Sequence, residues 1–200
     1  MAAGPSQEEG HVVAVKLIEQ LLAPPQKLLF REDKLRETLE LLRGGESLVI
    51  RGPVGVGKTT LALMAAKGFK QTYINCFQCR TYDCIRRRIA PGLIILDDYT
   101  LAKRTAQLVR LVKELPWKLV VIHPQLQAEE LKDLPIVELK PYTLQELEEI
   151  LRERVIRLNL PLSDYDIRLA AEEGVRRGGN ARIALLKLAE LAGLTASWQA

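Results

Sequence analysis

The chain has 200 residues, a formal net charge of +4 and three cysteines, with 48% apolar and 27% charged residues. That is enough to bury a real core in one domain, or in a core with a small appended one, and it excludes a disordered or low-complexity chain. The longest apolar runs, "LIIL" and "LVVI", are too short to span a bilayer, and "MAAGPSQEEG" lacks the basic-then-apolar order of a secretory signal. A soluble cytoplasmic protein with no membrane contact is expected.

Helical apolar spacing begins at Val12 and runs to Leu22, where "APPQ" stops it. A second amphipathic helix is predicted from Glu32 to Arg43, ended by Gly44 and Gly45. Short apolar runs then alternate with helical stretches. "SLVI" is strand one, followed by a glycine-rich turn and a helix from Lys58 to Gly68. "QTYINC" is strand two, with a short helix from Tyr82 to Ile89 behind it. "GLIILDD" is strand three, with a helix from Lys103 to Glu114; "KLVVIH" and "PIVELK" are strands four and five. Apolar strands alternating with helices indicate an α/β fold whose parallel sheet is covered on both faces. After Pro141 only helices are predicted: Thr143 to Leu158, Ser163 to Glu173 and Gly179 to Leu191. The expected organisation is an N-terminal helix and linker (1–27), a core (28–141) and a small three-helix lid (142–200).

Charge is unevenly spread. From Arg80 to Lys113 eight basic residues face three acidic ones, and from Gln127 to Glu173 six face twelve. Cys76, Cys79 and Cys84 cluster in "CFQCRTYDC", while His11 and His123 lie far off in sequence. A zinc site normally needs a fourth ligand. Buried or incidental thiols are expected, not a disulfide framework, because the count is odd.

Gly52-Pro53-Val54-Gly55-Val56-Gly57-Lys58-Thr59, followed by Thr60, matches G-x-x-x-x-G-K-[ST] in full. Glycines let backbone N–H groups turn inward around phosphate oxygens, and the next helix presents its positive end. Lys58 is placed to reach the outer phosphates of ATP or ADP, and the Thr59 hydroxyl to bind Mg²⁺. "LIILDDYT" supplies the partner: Asp97 to hold Mg²⁺, and Asp98 to orient or deprotonate the attacking water. In "GGNARIALLKL", Arg182 sits one turn into a helix, and a planar guanidinium there suits phosphate oxygens.

These motifs resemble the AAA+ ATPases and, among them, the archaeal and eukaryotic origin-recognition (cell-division-control) initiators of DNA replication. "LLFREDKL" resembles the segment before the first core helix, and "TYINC" with "RTYDCIRRRI" the strand and helix after the cradle. "LKPYTLQELEEILRERV" is similar to the first lid helix, and "GGNARIALLKLAELA" to the sensor-two helix. The resemblance spans Leu28 to Ala192 and implies a P-loop core of five parallel strands with a helical lid. It implies ATP binding with Mg²⁺, Arg182 as phosphate sensor, and a replication protein or DNA as partner. Clamp loaders are a second branch with the same motifs.

The departures from the family pattern shape the expected activity. Asp98 stands where the second acid is usually glutamate, and "IHPQ" offers only His123 or Gln125 as sensor one. No arginine lies between Gln125 and "LPIVELKPYT", so an oligomer would have no finger at the usual place. The segment from Cys76 to Leu93 is too short for the initiators' DNA-contacting insertion, and the winged-helix domain is missing. ATP hydrolysis is therefore expected to be slow and DNA binding weak and indifferent to sequence. The competing expectation is an interaction module in which ATP is structural or regulatory.

Overall fold

The computed structural model describes residues 7–25 and 27–194, and of 7–13 only the backbone. The described chain divides into two compact units. One is formed by residues 27–140, the other by residues up to 26 together with those from 141 onward.

The first unit opens with α2 (Glu32–Arg43), numbered after the helix that precedes it in the chain, and continues through β1 (Leu48–Arg51), α3 (Lys58–Ala65), β2 (Gln71–Asn75) and α4 (Tyr82–Arg88). It then runs through β3 (Leu93–Asp97), α5 (Ala106–Glu114), β4 (Lys118–Ile122) and β5 (Ile136–Glu138). The strands form one parallel sheet in the order β2-β3-β4-β1-β5. Side chains alternate across a strand, so each strand feeds two layers. Val49, Ile74, Ile94, Leu96, Val120 and Ile122 pack with Ile85 of α4 and Leu108 and Val112 of α5. Leu48, Ile50, Leu93, Ile95, Leu119 and Val121, equally buried, occupy the other face, where α3 lies against β1 and β4.

Local chemistry sets the boundaries. α3 ends at Ala65, short of the expected Gly68, whose φ of 97° no helix accommodates. α5 starts at Ala106, not Lys103, because the Thr105 hydroxyl caps it by accepting from Leu108 N–H. The cysteines depart from expectation. Cys79 and Cys84 are joined in a disulfide with Cα atoms 5.5 Å apart, and only Cys76 is a free, buried thiol. The start of α4, capped by Thr81, folds back on the loop leaving β2, and the five-residue spacing is long enough for that reversal.

The turn after β3 is fixed from both sides. Tyr99–Leu101 forms one 3₁₀ turn, and the Tyr99 hydroxyl donates to Glu130 Oε1 at 2.7 Å. Arg104 makes a two-pronged pair with the same carboxylate, Nε to Oε1 and Nη2 to Oε2, each at 2.9 Å. Thr100 Oγ1 accepts from the backbone N–H of His123 at 2.9 Å, tying the turn to the end of β4.

The second unit contains α1 (Gln7–Leu22), α6 (Leu144–Leu158), α7 (Asp164–Arg176) and α8 (Ala181–Leu191). The sequence left open where the first helix packs; it lies against α6 and α8. Arg154 and Arg157 of α6 donate to the carbonyls of Ala23 and Gln20, at 3.1 and 3.3 Å. Thr143 with Glu146, and Ser163 with Asp166, form capping boxes that start α6 and α7. α8 begins at Ala181, after Gly178 and Gly179 turn through positive φ, and Asn180 caps it.

Gly174 marks the closest approach of these helices. A Cβ there would stand 2.8 Å from the Ala184 Cβ, 2.9 Å from Leu147 Cδ1 and 3.0 Å from the Asn180 carbonyl oxygen. On an open helix face alanine would be better than glycine by about 1 kcal/mol. Here Gly174→Ala should reverse that sign and destabilise by about 1 to 3 kcal/mol, as overpacked sites do. Denaturant midpoints of the two proteins check it; a stabilised variant would refute the crowding.

Glu130 gives a second prediction. Burial opposes its charge, but Arg104 and Tyr99 win, and its pKa lies below the ordinary 4.5. A depressed carboxyl contributes stability that is complete above about pH 4.5 and is lost as the pH falls through the lower folded value. Glu130→Gln should destabilise by about 2 kcal/mol at pH 7, the scale of hydrogen bonds to a charged group. The gap between the two proteins should close as the pH is lowered toward 3. Chemical denaturation across that range measures it.

Candidate functional site

β1 delivers the chain to Gly52 at the C-terminal edge of the sheet, where a turn of six residues leads into α3. Gly52 is buried, and a Cβ there would sit 2.6 Å from the Leu139 carbonyl oxygen, so no larger residue fits without displacing β5's exit. Gly55 and Gly57 take φ values of 76° and 92°, the left-handed region that turns successive N–H groups to one side. The loop's side chains divide its labour. Val56 is fully buried and anchors the turn in the core, whereas Val54 is 52% exposed. Pro53 contributes its carbonyl oxygen, which accepts from Lys58 Nζ at 2.5 Å.

Lys58 and Thr59 open α3, and Thr60 follows within its first turn. No side chain caps this helix: Gly57 stands at the cap position, so the helix directs backbone N–H groups and the positive end of its dipole outward. Lys58 is only 6% exposed. An ammonium and a bare helix start therefore share one small volume, a site built for an anion.

β3 brings the acids. Asp97, its last residue, is 2% exposed and ends a strand buried along its whole length. Thr59 Oγ1 lies 3.0 Å from each of its carboxylate oxygens, joining residues 38 apart in sequence. Tyr73 of β2 donates its hydroxyl to Asp97 Oδ2 at 2.6 Å. Burial pushes the Asp97 carboxyl above the usual range, and the Asp98 charge adds to this; the Tyr73 and Thr59 hydrogen bonds oppose it. The Tyr73 phenol is itself raised, first by burial and then by its bond to the carboxylate. Asp98 follows in the left-handed conformation, φ 51° and ψ 39°, at the head of the 3₁₀ turn held by Glu130.

His123, at the exit of β4, completes the cluster. Burial lowers its pKa, the Lys58 charge lowers it further, and Asp98 acts in the opposite sense. Both charges therefore reach the imidazole, which is neutral at pH 7. Of the two sensor-one candidates, His123 is half-buried among these groups and Gln125 is exposed. Arg182 is exposed at the second position of α8, in the helical unit.

The structure thus unites Lys58, Thr59, Asp97, Asp98 and His123 at one end of the sheet. The donor set fits Mg²⁺: a hydroxyl and a carboxylate, both hard oxygen ligands, stand beside an anion cradle whose phosphates would complete the shell. Among the described residues no group of three or more His, Cys, Asp or Glu side chains is arranged to hold a metal by itself. Cys76 takes no part, since burial pushes its thiol up to about 12. Sequence reasoning missed Tyr73. The signal lay in strand pairing: Asn75 stands opposite Asp97, so Tyr73, two residues back, shares its face of the sheet.

No helix among the described residues is long and apolar enough to cross a membrane. A family model described as Novel STAND NTPase 3 (nSTAND3) matches residues 29–108, which include the whole cradle and both aspartates. The Thermotoga maritima RuvB Holliday junction branch migration motor is similar in structure, with a TM-score of 0.68 and 20% identity, covering 90% of this chain and 68% of that one. A structure of Drosophila ORC bound to DNA is similar with a TM-score of 0.66 and 17% identity, covering 100% of this chain and 65% of that one. Likeness at such identities is likeness of fold. The chain has the α/β fold of AAA+ P-loop proteins, with five parallel strands and flanking helices.

Proposed function

We propose that this protein binds ATP with Mg²⁺ and hydrolyses it slowly. The observation that carries the reading is the junction of Thr59 with Asp97, at 3.0 Å to both carboxylate oxygens, beside the Lys58 cradle. Thr59 and Asp97 would hold the metal, which neutralises phosphate charge when bound. Lys58 and the first-turn amides of α3 hold the β- and γ-phosphates. Asp98 orients water for in-line attack, and neutral His123 supplies a dipole between Lys58 and Asp98. The phosphate-sensing part for Arg182 rests on the resemblance of α8 alone. A DNA-associated or replication role rests on two supports. RuvB and ORC are described as a Holliday junction motor and as bound to DNA, and Arg80, Arg86, Arg87, Arg88 and Lys103 of this chain are exposed. Such binding would be electrostatic and fall steeply with salt.

The first test is ligand-linked stability. ATP·Mg²⁺ at about a hundred times its Kd should stabilise the protein by about 2.7 kcal/mol, and Lys58→Ala should remove most of the rise. An unchanged melting temperature in millimolar ATP·Mg²⁺ would end the proposal.

The second test concerns Asp98. Its carboxylate is one methylene shorter than the glutamate usual at this place, which withdraws it from the attacking water and leaves ground-state binding intact. Asp98→Glu should raise single-turnover hydrolysis, and Asp98→Asn should lower it, both with ATP affinity little changed. Wild-type turnover at about 1 s⁻¹ or faster, an ordinary enzyme rate, would contradict the slow-ATPase reading.

A further inference from the structure

The Asp97 carboxylate has two hydroxyl neighbours that act differently. Thr59 is 3.0 Å from both oxygens and carries one proton, so it holds the carboxylate near α3 without favouring either oxygen. Tyr73 reaches only Oδ2, at 2.6 Å, and thereby breaks that symmetry. With both donors present the carboxyl plane is fixed from two elements, β2 and α3, and Oδ1 is left with the greater accepting capacity. With Thr59 alone the group is free to swing.

Asn75, two residues on from Tyr73 and on the same face, is held by the turn that leaves β2. The Asn75 side-chain oxygen Oδ1 accepts from the backbone N–H groups of Phe77 and Gln78, at 2.8 and 3.3 Å. The turn leaving β2 thus fixes the end of the strand that carries Tyr73, and Tyr73 reaches Asp97 from it. The Tyr73 side chain lies on an edge strand, 39% exposed, with its hydroxyl turned in toward β3.

We propose that Tyr73 is a positioning residue for the metal site, orienting the Asp97 carboxylate through its bond to Oδ2. This rests on the reading of Thr59 and Asp97 as the Mg²⁺-binding pair. Groups that orient a metal-binding carboxylate typically change metal affinity by about 10- to 100-fold when removed. A residue that only stabilised the sheet would leave metal affinity alone.

Tyr73→Phe keeps the ring and deletes the donor. Wild type and variant are loaded one-to-one with ATP in metal-free buffer, and bound Mn²⁺ is counted by loss of the free-ion electron paramagnetic resonance signal. Tyr73→Phe should weaken Mn²⁺ binding about 10- to 100-fold, while metal-free ATP affinity and metal-free melting stay at the wild-type values. Wild type that takes up Mn²⁺, with a variant that takes it up equally well, overturns the role of Tyr73. Equal losses of metal-free ATP binding and Mn²⁺ binding also overturn it, since they mark a general disturbance. Wild type that cannot be loaded with ATP, or binds no Mn²⁺ once loaded, overturns the underlying nucleotide reading instead.

Discussion

A carboxylate at the end of an otherwise apolar buried strand is costly, and the first unit is organised around making Asp97 tolerable. A charge removed from water is held only where donors or opposite charges replace its hydration. Asp97 receives the Thr59 hydroxyl from α3 and the Tyr73 hydroxyl from β2, two elements that meet only because β3 lies beside β2 and the cradle returns from β1. Its raised pKa shows that these donors compensate burial incompletely. A divalent cation held there, as the proposed function requires, would relieve the remaining deficit.

Most of this could be read from the chain, for identifiable reasons. The cradle is a contiguous motif whose glycines have one physical use, and the apolar β3 ending in two acids has few other readings. Periodicity placed every strand and helix to within a few residues, because buried parallel strands and amphipathic helices carry different repeats. What escaped notice depended on contacts between distant residues. Tyr73 acts through the register of β2 on β3, and Glu130 serves Asp98 through Tyr99, 31 residues away. Tyr73 lies in "TYINC", but nothing in that stretch names Asp97 as its partner, and Glu130 lies in no motif.

Other departures were local but hidden by competing signals. The Cys79–Cys84 link was obscured because an odd cysteine count argued against a disulfide framework and buried or incidental thiols were expected. The N-terminal helix gave no sign of its neighbours in its own sequence. Its carbonyls are claimed by Arg154 and Arg157, basic residues that read as ordinary helix surface until the helices are assembled. The origin-recognition resemblance stands differently from the fold: the structural likenesses extend across AAA+ proteins and do not single out that branch.

The strand order has a consequence for how the site holds together. The cradle hangs from β1 and the acids from β3, and these strands are not neighbours; β4 lies between them and exits at His123. The cradle and the acids therefore meet across the end of β4, and the contact of Thr59 with Asp97, at 3.0 Å, spans that gap. A cation in place of His123 at the tip of β4 would repel Lys58 across a low-dielectric gap. The sheet's wiring thus acts as a spacer between Lys58 and Asp98, and in the proposed function it would set the distance between the group that grips phosphate and the group that aims water.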